Sequence, residues 1–329
     1  MIKIKWSKQN TNDFSEIAFV GATWSGTENQ AARTLDFTIP WDPYYSGLVP
    51  KVSIALGDKI RLYNGGTLLF SGIVTSREKS ASIGTASYTA RDYMHYLLRS
   101  TVSKVIKNTT AKAATRSLCS QVGIKTTALQ NPKKRISKAV YKEKAIYDII
   151  VALYRKAYEK NKVRYMPVMK GNKLSVIKKG QASGVTLDQQ TDITGATYHD
   201  TTDNMVNHVV IYSESNSKIG KQENKKLEKK YGIYMQAYTK QGDESSKEAK
   251  IAAKNLLVGV TKEASVEAIG NVKCISGRSI QISDKAAGIK GKFYISSDSH
   301  TFENDIHTMK LELVWQNTME EGADEESKK

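Results

Sequence analysis

The stretch GKFYISSDSHTFENDIHTMKLELVW, residues 291–315, gathers Asp298, Ser299, His300, Asp305 and His307, with two of the chain's five histidines among them. A serine between an aspartate and a histidine raises acyl transfer, in which an imidazole takes the hydroxyl proton and a carboxylate orients the ring. Two histidines beside carboxylates raise a metal site. Strand alternation bears on both. In KFYISSDSH, Phe293 and Ile295 share one parity and Tyr294, Ser296, Asp298 and His300 the other, so Ser299 points away from Asp298 and His300. Neither a GxSxG elbow nor an SxxK motif supplies a nucleophile's setting. For metal, His300 and His307 flank a turn, with Glu303 or Asp305 as further oxygen donors, but no HExxH or CxxC completes a ligand set. Exposed hairpin histidines are commoner than ligands, so both are expected to be hairpin residues exposed to solvent.

Other candidates carry less. His199 and His208 flank DTTDNMVN, where Asp200 and Asp203 lack the spacing and glutamate of a calcium loop. The glycines of YNGGTLLFSG and AIGNVKCISG have no Walker lysine and do not open a helix, so they read as turns. No motif marks the facing carboxylates of a glycosidase. The residues therefore predict no catalytic, cofactor-binding or metal-binding residues, and no cofactor.

The elements that would position these residues are mainly β. TLDFTIP (34–40), VSIALGDKIRLYN (52–64), LLFSGIVTSREKS (68–80) and ASYTARDY (86–93) alternate, separated by turn signals, with no helix of crossover length between them. YMHYLLR (93–99) reads as a short helix. TAKAATRSLCSQVGI (110–124) and KEKAIYDIIVALYRKAYEKN (142–161) carry apolar residues at helical spacing, and VRYMPVMKGNKLSVIKKG (163–180) reads as a hairpin turning at KGN. β returns after Gly184, with strands expected at 207–215 and 231–239 around a lysine-rich connector (218–230). An N-capped helix follows at 245–260. The expected organisation is a β domain at 1–98, a basic α+β insert at 99–183, a second β domain at 184–318 and an acidic flexible tail at 319–329.

Charge sharpens the division. Net charge is +17, yet 21 Lys or Arg stand against three acids between Arg99 and Gly180, and the rest of the chain is nearly neutral. Such a module could bind nucleic acid, since Tyr141, Tyr154, Tyr158 and Tyr165 are interleaved with its cations as base-stacking surfaces would be. It could equally be a solvated face around a small core. The two cysteines, Cys119 and Cys274, define no disulfide framework. MIKIKWSKQN lacks an apolar signal region, and no apolar run approaches the ~18 residues of a membrane span.

Taken together, WSGTENQAARTLDFTI, VSIALGDKIRLYNGGTLLFSGIVTSREKS and YTARDYMHYLLRS resemble the start of the XkdQ/YqbQ-type baseplate hub proteins of contractile phage tails and phage-tail-like bacteriocins. TAKAATRSLCSQVGI, KAIYDIIVALYRKAYEKNKVRYMPV and AAGIKGKFYISSDSHTFENDIHTMKLELVW follow in that family's order, so the resemblance spans roughly residues 1–317. It implies two tail-tube-like antiparallel β-barrels with a small α/β insert, some strands of the second region completing the first barrel. It implies a non-enzymatic homotrimeric ring that joins the sixfold tail tube to a trimeric central spike. Tail tube protein, spike protein, a LysM-type baseplate protein and the tape-measure protein are the implied partners, with no specific nucleic-acid binding. Synthesis in the bacterial cytoplasm and assembly into a phage or tailocin baseplate are implied as well. A basic nucleic-acid- or envelope-binding protein is the alternative.

Overall fold

The computed structural model describes residues 1–28, 30–42, 52–79, 84–320 and 322. The chain opens with β1 (Ile2–Ser7), β2 (Ser15–Ile17), β3 (Gly21–Thr27), β4 (Gln30–Trp41), β5 (Lys59–Asn64), β6 (Thr67–Lys79) and β7 (Gly84–Asp92). Alternation sends Ala22 and Trp24 of β3, Leu35, Phe37 and Ile39 of β4, and Ala86, Tyr88 and Ala90 of β7 into one core. Asp58 ties the front of this core together. Its carboxylate accepts from the Trp6 indole at 2.8 Å, from Gln9 N–H at 3.1 Å and from Ala55 N–H at 2.9 Å. Gly72 is required where β6 meets β7, because a Cβ there would sit 2.2 Å from the Arg91 carbonyl oxygen.

After α1 (Met94–Arg99) come β8 (Thr101–Thr110), α2 (Ala111–Gln121), β9 (Lys125–Leu129), β10 (Arg135–Ala145), α3 (Ile146–Asn161), β11 (Tyr165–Lys170) and β12 (Lys173–Lys178). Thr110 caps α2 by accepting from Ala113 N–H, and Gly123, at φ +70°, follows its end. The apolar stripe of α3, including Ile146, Ile149, Ile150 and Leu153, is wholly buried. Its lysine-rich lead, 142–145, extends β10 and is not part of the helix. β10 pairs with β8 as a long antiparallel ribbon, and β11, β12 and β9 form a separate small sheet. The core of this region also takes in Met94, Leu97, Ala32 and Met319. Met319 and Glu320, the first residues of the expected flexible tail, are held on α3. Arg155 donates to the Met319 carbonyl at 3.0 Å, and Tyr147 donates to Glu320 at 2.5 Å. Residues 321 and 323–329 of that tail lie outside the described residues.

The remaining elements are β13 (Ala182–Asp188), β14 (Ile193–Thr201), β15 (His208–Tyr212), β16 (Lys218–Glu223), α4 (Lys225–Tyr231), β17 (Met235–Thr239), α5 (Ser246–Asn255), β18 (Thr261–Ile269), β19 (Ser279–Asp284), β20 (Ile289–Glu303) and β21 (Ile306–Val314). Two compact units emerge, one of residues 1–196 and 265–329 and the other of 197–264. Their limits fall elsewhere than the charge- and period-based positions 98/99 and 183/184.

The first unit is α+β and mainly β. Its large sheet runs in the order β14-β18-β21-β20-β3-β4-β7-β6-β5-β1-β2, with 193–196 and 265–269 the parts of β14 and β18 that belong to this unit. β19 branches from β20 and pairs in parallel with β13. The seam between β3 and β20 joins N-terminal to C-terminal strands in register from Thr27↔Ser297 to Gly21↔Glu303. Among the described residues these pairings form an open path, so the two closed barrels implied by the resemblance are not closed by backbone pairing.

In the second unit, β15 lies between β16 and β17 in a three-stranded sheet. Val209 and Ile211 pack there with Ala249 and Ala253 of α5. The strand expected at 207–215 is the central strand of this sheet. The expected connector 218–230 folds as β16 and α4. Ser245 and Glu248 form a reciprocal capping box at the start of α5.

Candidate functional site

Asp298 and His300 are 1% and 0% exposed, which overturns the alternation read from the sequence. The cause is a β-bulge. Ile295 pairs with Leu313 but Ser297 with Glu312, leaving Ser296 as an extra residue. The Ser296 carbonyl accepts from Glu28 N–H at 2.8 Å, and its hydroxyl donates to the Glu312 carbonyl at 3.1 Å. One extra residue flips every following side chain. Asp298, His300 and Phe302 therefore continue the inward face of Phe293 and Ile295. The hairpin turns at Asn304 and Asp305, both at positive φ as a two-residue primed turn requires.

The inward carboxylate meets Arg33 of β4. The guanidinium donates through both terminal nitrogens to the two Asp298 oxygens, and Ser276 N–H donates to Oδ1 at 2.6 Å. Arg33 also lies 4.1 Å from the centre of the Trp24 ring. Gly26 makes room for it, since a Cβ there would fall 2.3 Å from Arg33 Nη1. His300 Nε2 donates to the Cys274 carbonyl at 3.1 Å and lies 3.4 Å from Asp298, while Nδ1 shares a proton with His307 Nε2 at 3.1 Å. Burial would raise the Asp298 pKa, but Arg33, with help from His300, holds it well below the usual carboxylate range. His307 is pulled down to about 4 by burial and by the charge of His300.

This geometry suits a clamp and not a catalyst. Both ring nitrogens of His300 have partners, so neither is free to take a proton from a hydroxyl. The Ser276 hydroxyl faces Arg33 Nη1, and Ser299 points to the other face. The bidentate grip of Arg33 occupies the carboxylate a metal would need. The seam β3–β20 is thereby locked by an ion pair between residues 265 positions apart, and no local motif could have announced it.

His208 has two carboxylate neighbours that its local sequence does not announce. Its Nδ1 lies 2.8 Å from Glu228 Oε1 and 3.8 Å from Glu223 Oε2, and the three ligand atoms fall within 4.8 Å of one another. Cross-strand register brings Glu223 opposite His208, and α4 supplies Glu228. Lys221 and Lys225 sit 2.6 and 3.5 Å from Glu223, so cations of the chain already neutralise this group. It forms an ion-pair network. Asp200 accepts from Tyr198 and Asp203 N–H donates to Thr201, and among the described residues neither aspartate joins His199 in a three-residue ligand cluster.

The thiols are equally inert. Burial pushes Cys119 up to about 12, and burial with the charge of Asp298 does the same to Cys274. Neither cysteine is expected to react with iodoacetamide at pH 8 in the native protein, and both should be alkylated in urea. Native-state labelling at the rate of a free cysteine, read by mass spectrometry, would contradict the burial.

Comparison with known proteins matches residues 22–314 to the model of the YQBQ-like family. The phage-like element PBSX protein XkdQ of Bacillus subtilis (strain 168) is 27% identical over 322 residues, covering 94% of this chain and 97% of that protein. Among solved structures, the 43 kDa tail protein of prophage MuSo2 from Shewanella oneidensis superposes with a TM-score of 0.70 at 11% identity, covering 95% of this chain and 98% of the other. A tail protein from Neisseria meningitidis MC58 superposes with a TM-score of 0.64 at 15% identity, covering 95% and 96%. Among the described residues, no helix is long and apolar enough to cross a membrane.

Proposed function

The chain belongs to the YQBQ-like family, and from that premise we propose that it is a structural component of a phage-type tail, the hub of its baseplate. Three copies form a ring that joins the sixfold tail tube to the trimeric central spike. The ring holds the spike until contraction drives the tube outward, in a DNA-carrying phage or a headless bacteriocin particle. The observation that carries this reading is the likeness to tail proteins over nearly the whole of both chains. The β3–β20 seam is consistent with it, since a part that transmits force needs its terminal halves bonded into one sheet. The chain performs no covalent chemistry, and the groups that resembled a site serve cohesion. Edge strands with unpaired N–H and C=O groups are ready contacts for neighbouring subunits. Tube protein, spike protein and other baseplate proteins, a LysM-type protein among them, are the partners.

Co-expression of the chain with the tube and spike proteins of its own gene cluster is expected to yield a complex containing three copies, read by light scattering. A persistent monomer that captures neither protein would overturn the hub reading.

A further inference from the structure

Five of the 21 Lys and Arg residues between 99 and 180 border one concave feature. A pocket of about 190 Å³ opens between β10 and α3, rimmed by Lys134, Arg135, Lys138, Lys156 and Lys160, with Glu159 its one acid. Its floor includes the apolar side chains of Ile136 and Leu153. The Lys134 and Lys160 side chains lie within hydrogen-bond reach, a contact that lowers the Lys134 pKa. No described ion pair engages Lys134, Lys138 or Lys160. Five cations around one acid repel one another, and that repulsion is relieved when an anion enters.

Two features decide which anion. Single-stranded nucleic acid would need exposed aromatic faces beside the cations. Yet Tyr141, Tyr154 and Tyr165 are 1%, 1% and 6% exposed and belong to the core. Tyr158 is half-buried beneath Arg155, Lys162 and Arg164. The pocket itself has the volume of about one to two side chains and an apolar floor, which a phosphodiester backbone would leave unfilled. A glutamate beside an aliphatic residue supplies both a carboxylate for the rim and a methyl group for the floor.

We propose that the pocket between β10 and α3 is a docking site for an acidic, leucine- or isoleucine-bearing segment of a neighbouring protein. The partner's place in a baseplate rests on the function proposed above, whereas the chemistry of the pocket does not. The insert would thus be the attachment point for an acidic arm, with the rim cations setting encounter rate and the floor setting register.

The test is fluorescence anisotropy of the full chain with a labelled peptide of alternating glutamate and leucine, beside a labelled DNA oligonucleotide of equal charge. Salt-sensitive peptide binding is expected, tighter than that of the oligonucleotide. Combining Lys134→Glu with Lys160→Glu should weaken it by about tenfold or more. Combining Lys125→Glu with Lys173→Glu, on exposed positions of β9 and β12 outside the pocket, should leave it within about twofold. Circular dichroism confirms that both variants fold. Absence of peptide binding, equal weakening by both pairs, or tighter DNA binding would each overturn the proposal. Incorporation into particles separates the two readings. A chain that enters a baseplate but ignores the peptide defeats only the pocket. One that binds the peptide but enters no particle defeats only the hub.

Discussion

Replacing Arg33 with alanine is expected to lower the unfolding free energy of the large unit by about 3–5 kcal/mol, the cost of stranding one partner of a buried ion pair. The reason lies in what the substitution leaves behind. Asp298 is 1% exposed and would retain only the Ser276 N–H and the more distant His300 ring. Its carboxylate must then stay charged without its main counter-ion or take up a proton, and either outcome costs free energy. The Arg33 backbone N–H, which donates to Asp92 at 3.2 Å, is untouched by the change. The loss should therefore localise to the seam, as faster hydrogen exchange in β3 and β20 together with a lower urea midpoint. Combining Arg33→Met with Asp298→Leu should recover a large part of the loss, because two apolar side chains leave no orphan charge. A single-variant loss under about 1 kcal/mol would mean that solvent reaches Asp298 and that the clamp is not a buried one.

The second large effect is on acid dependence, where two groups pull in opposite directions. Burial pushes Asp92 up to about 7, against the lowering influence of the Met94 and Arg33 N–H groups and the Arg33 charge. Between its ordinary value of 3.8 and 7 the folded carboxyl holds a proton that the unfolded chain has lost. Its contribution is thus full below about 4 and disappears as pH rises to about 7. His307 is the reverse case, with a folded value near 4 against an ordinary 6.5. Its contribution is full above 6.5 and disappears as pH falls to about 4.

With Asp92→Asn only the histidine remains of this pair, and acidification from pH 7 to 4 should cost on the order of 1–2 kcal/mol, allowing for solvent screening of a half-buried ring. With His307→Phe only the aspartate remains, and the same acidification should stabilise by roughly 2–4 kcal/mol. Asp298, held well below the carboxylate range, keeps its contribution throughout this window. Urea titrations at stepped pH check the pair, and parallel profiles in the two variants would refute both assignments.

Much of the local structure was legible in the sequence. The period of KAIYDIIVALYRKAYEKN predicts α3, whose stripe is buried as its spacing requires. The N-cap serine read at the start of 245–260 marks the start of α5, which ends earlier than expected, at Asn255. The hairpin through Asn304 and Asp305 was legible as well. The parity of its first strand was not, because alternation assumes that no residue is inserted and Ser296 is such a residue. That single bulge moved Asp298 and His300 from an expected exposed face to the core. The lysine-rich 218–230 was read as a connector from its composition. It folds because β15 offers β16 a pairing edge and His208 offers Glu223 and Glu228 a partner.

The sequence by itself determined what depends on neighbours a few residues apart: helix faces, caps, turns and the charge of the insert. Those signals are local because a helical turn closes within four residues and a primed turn within two. Tertiary structure alone decided the β3–β20 seam, the pairing of Arg33 with Asp298, the unit at 197–264 and the burial of the tyrosines interleaved with the basic residues. Each depends on register between segments far apart in the chain, and alternating strands of similar composition do not encode which partner they will meet. The clamp at 298–307 is therefore a product of the fold, built from residues whose types suggested chemistry and whose positions give cohesion.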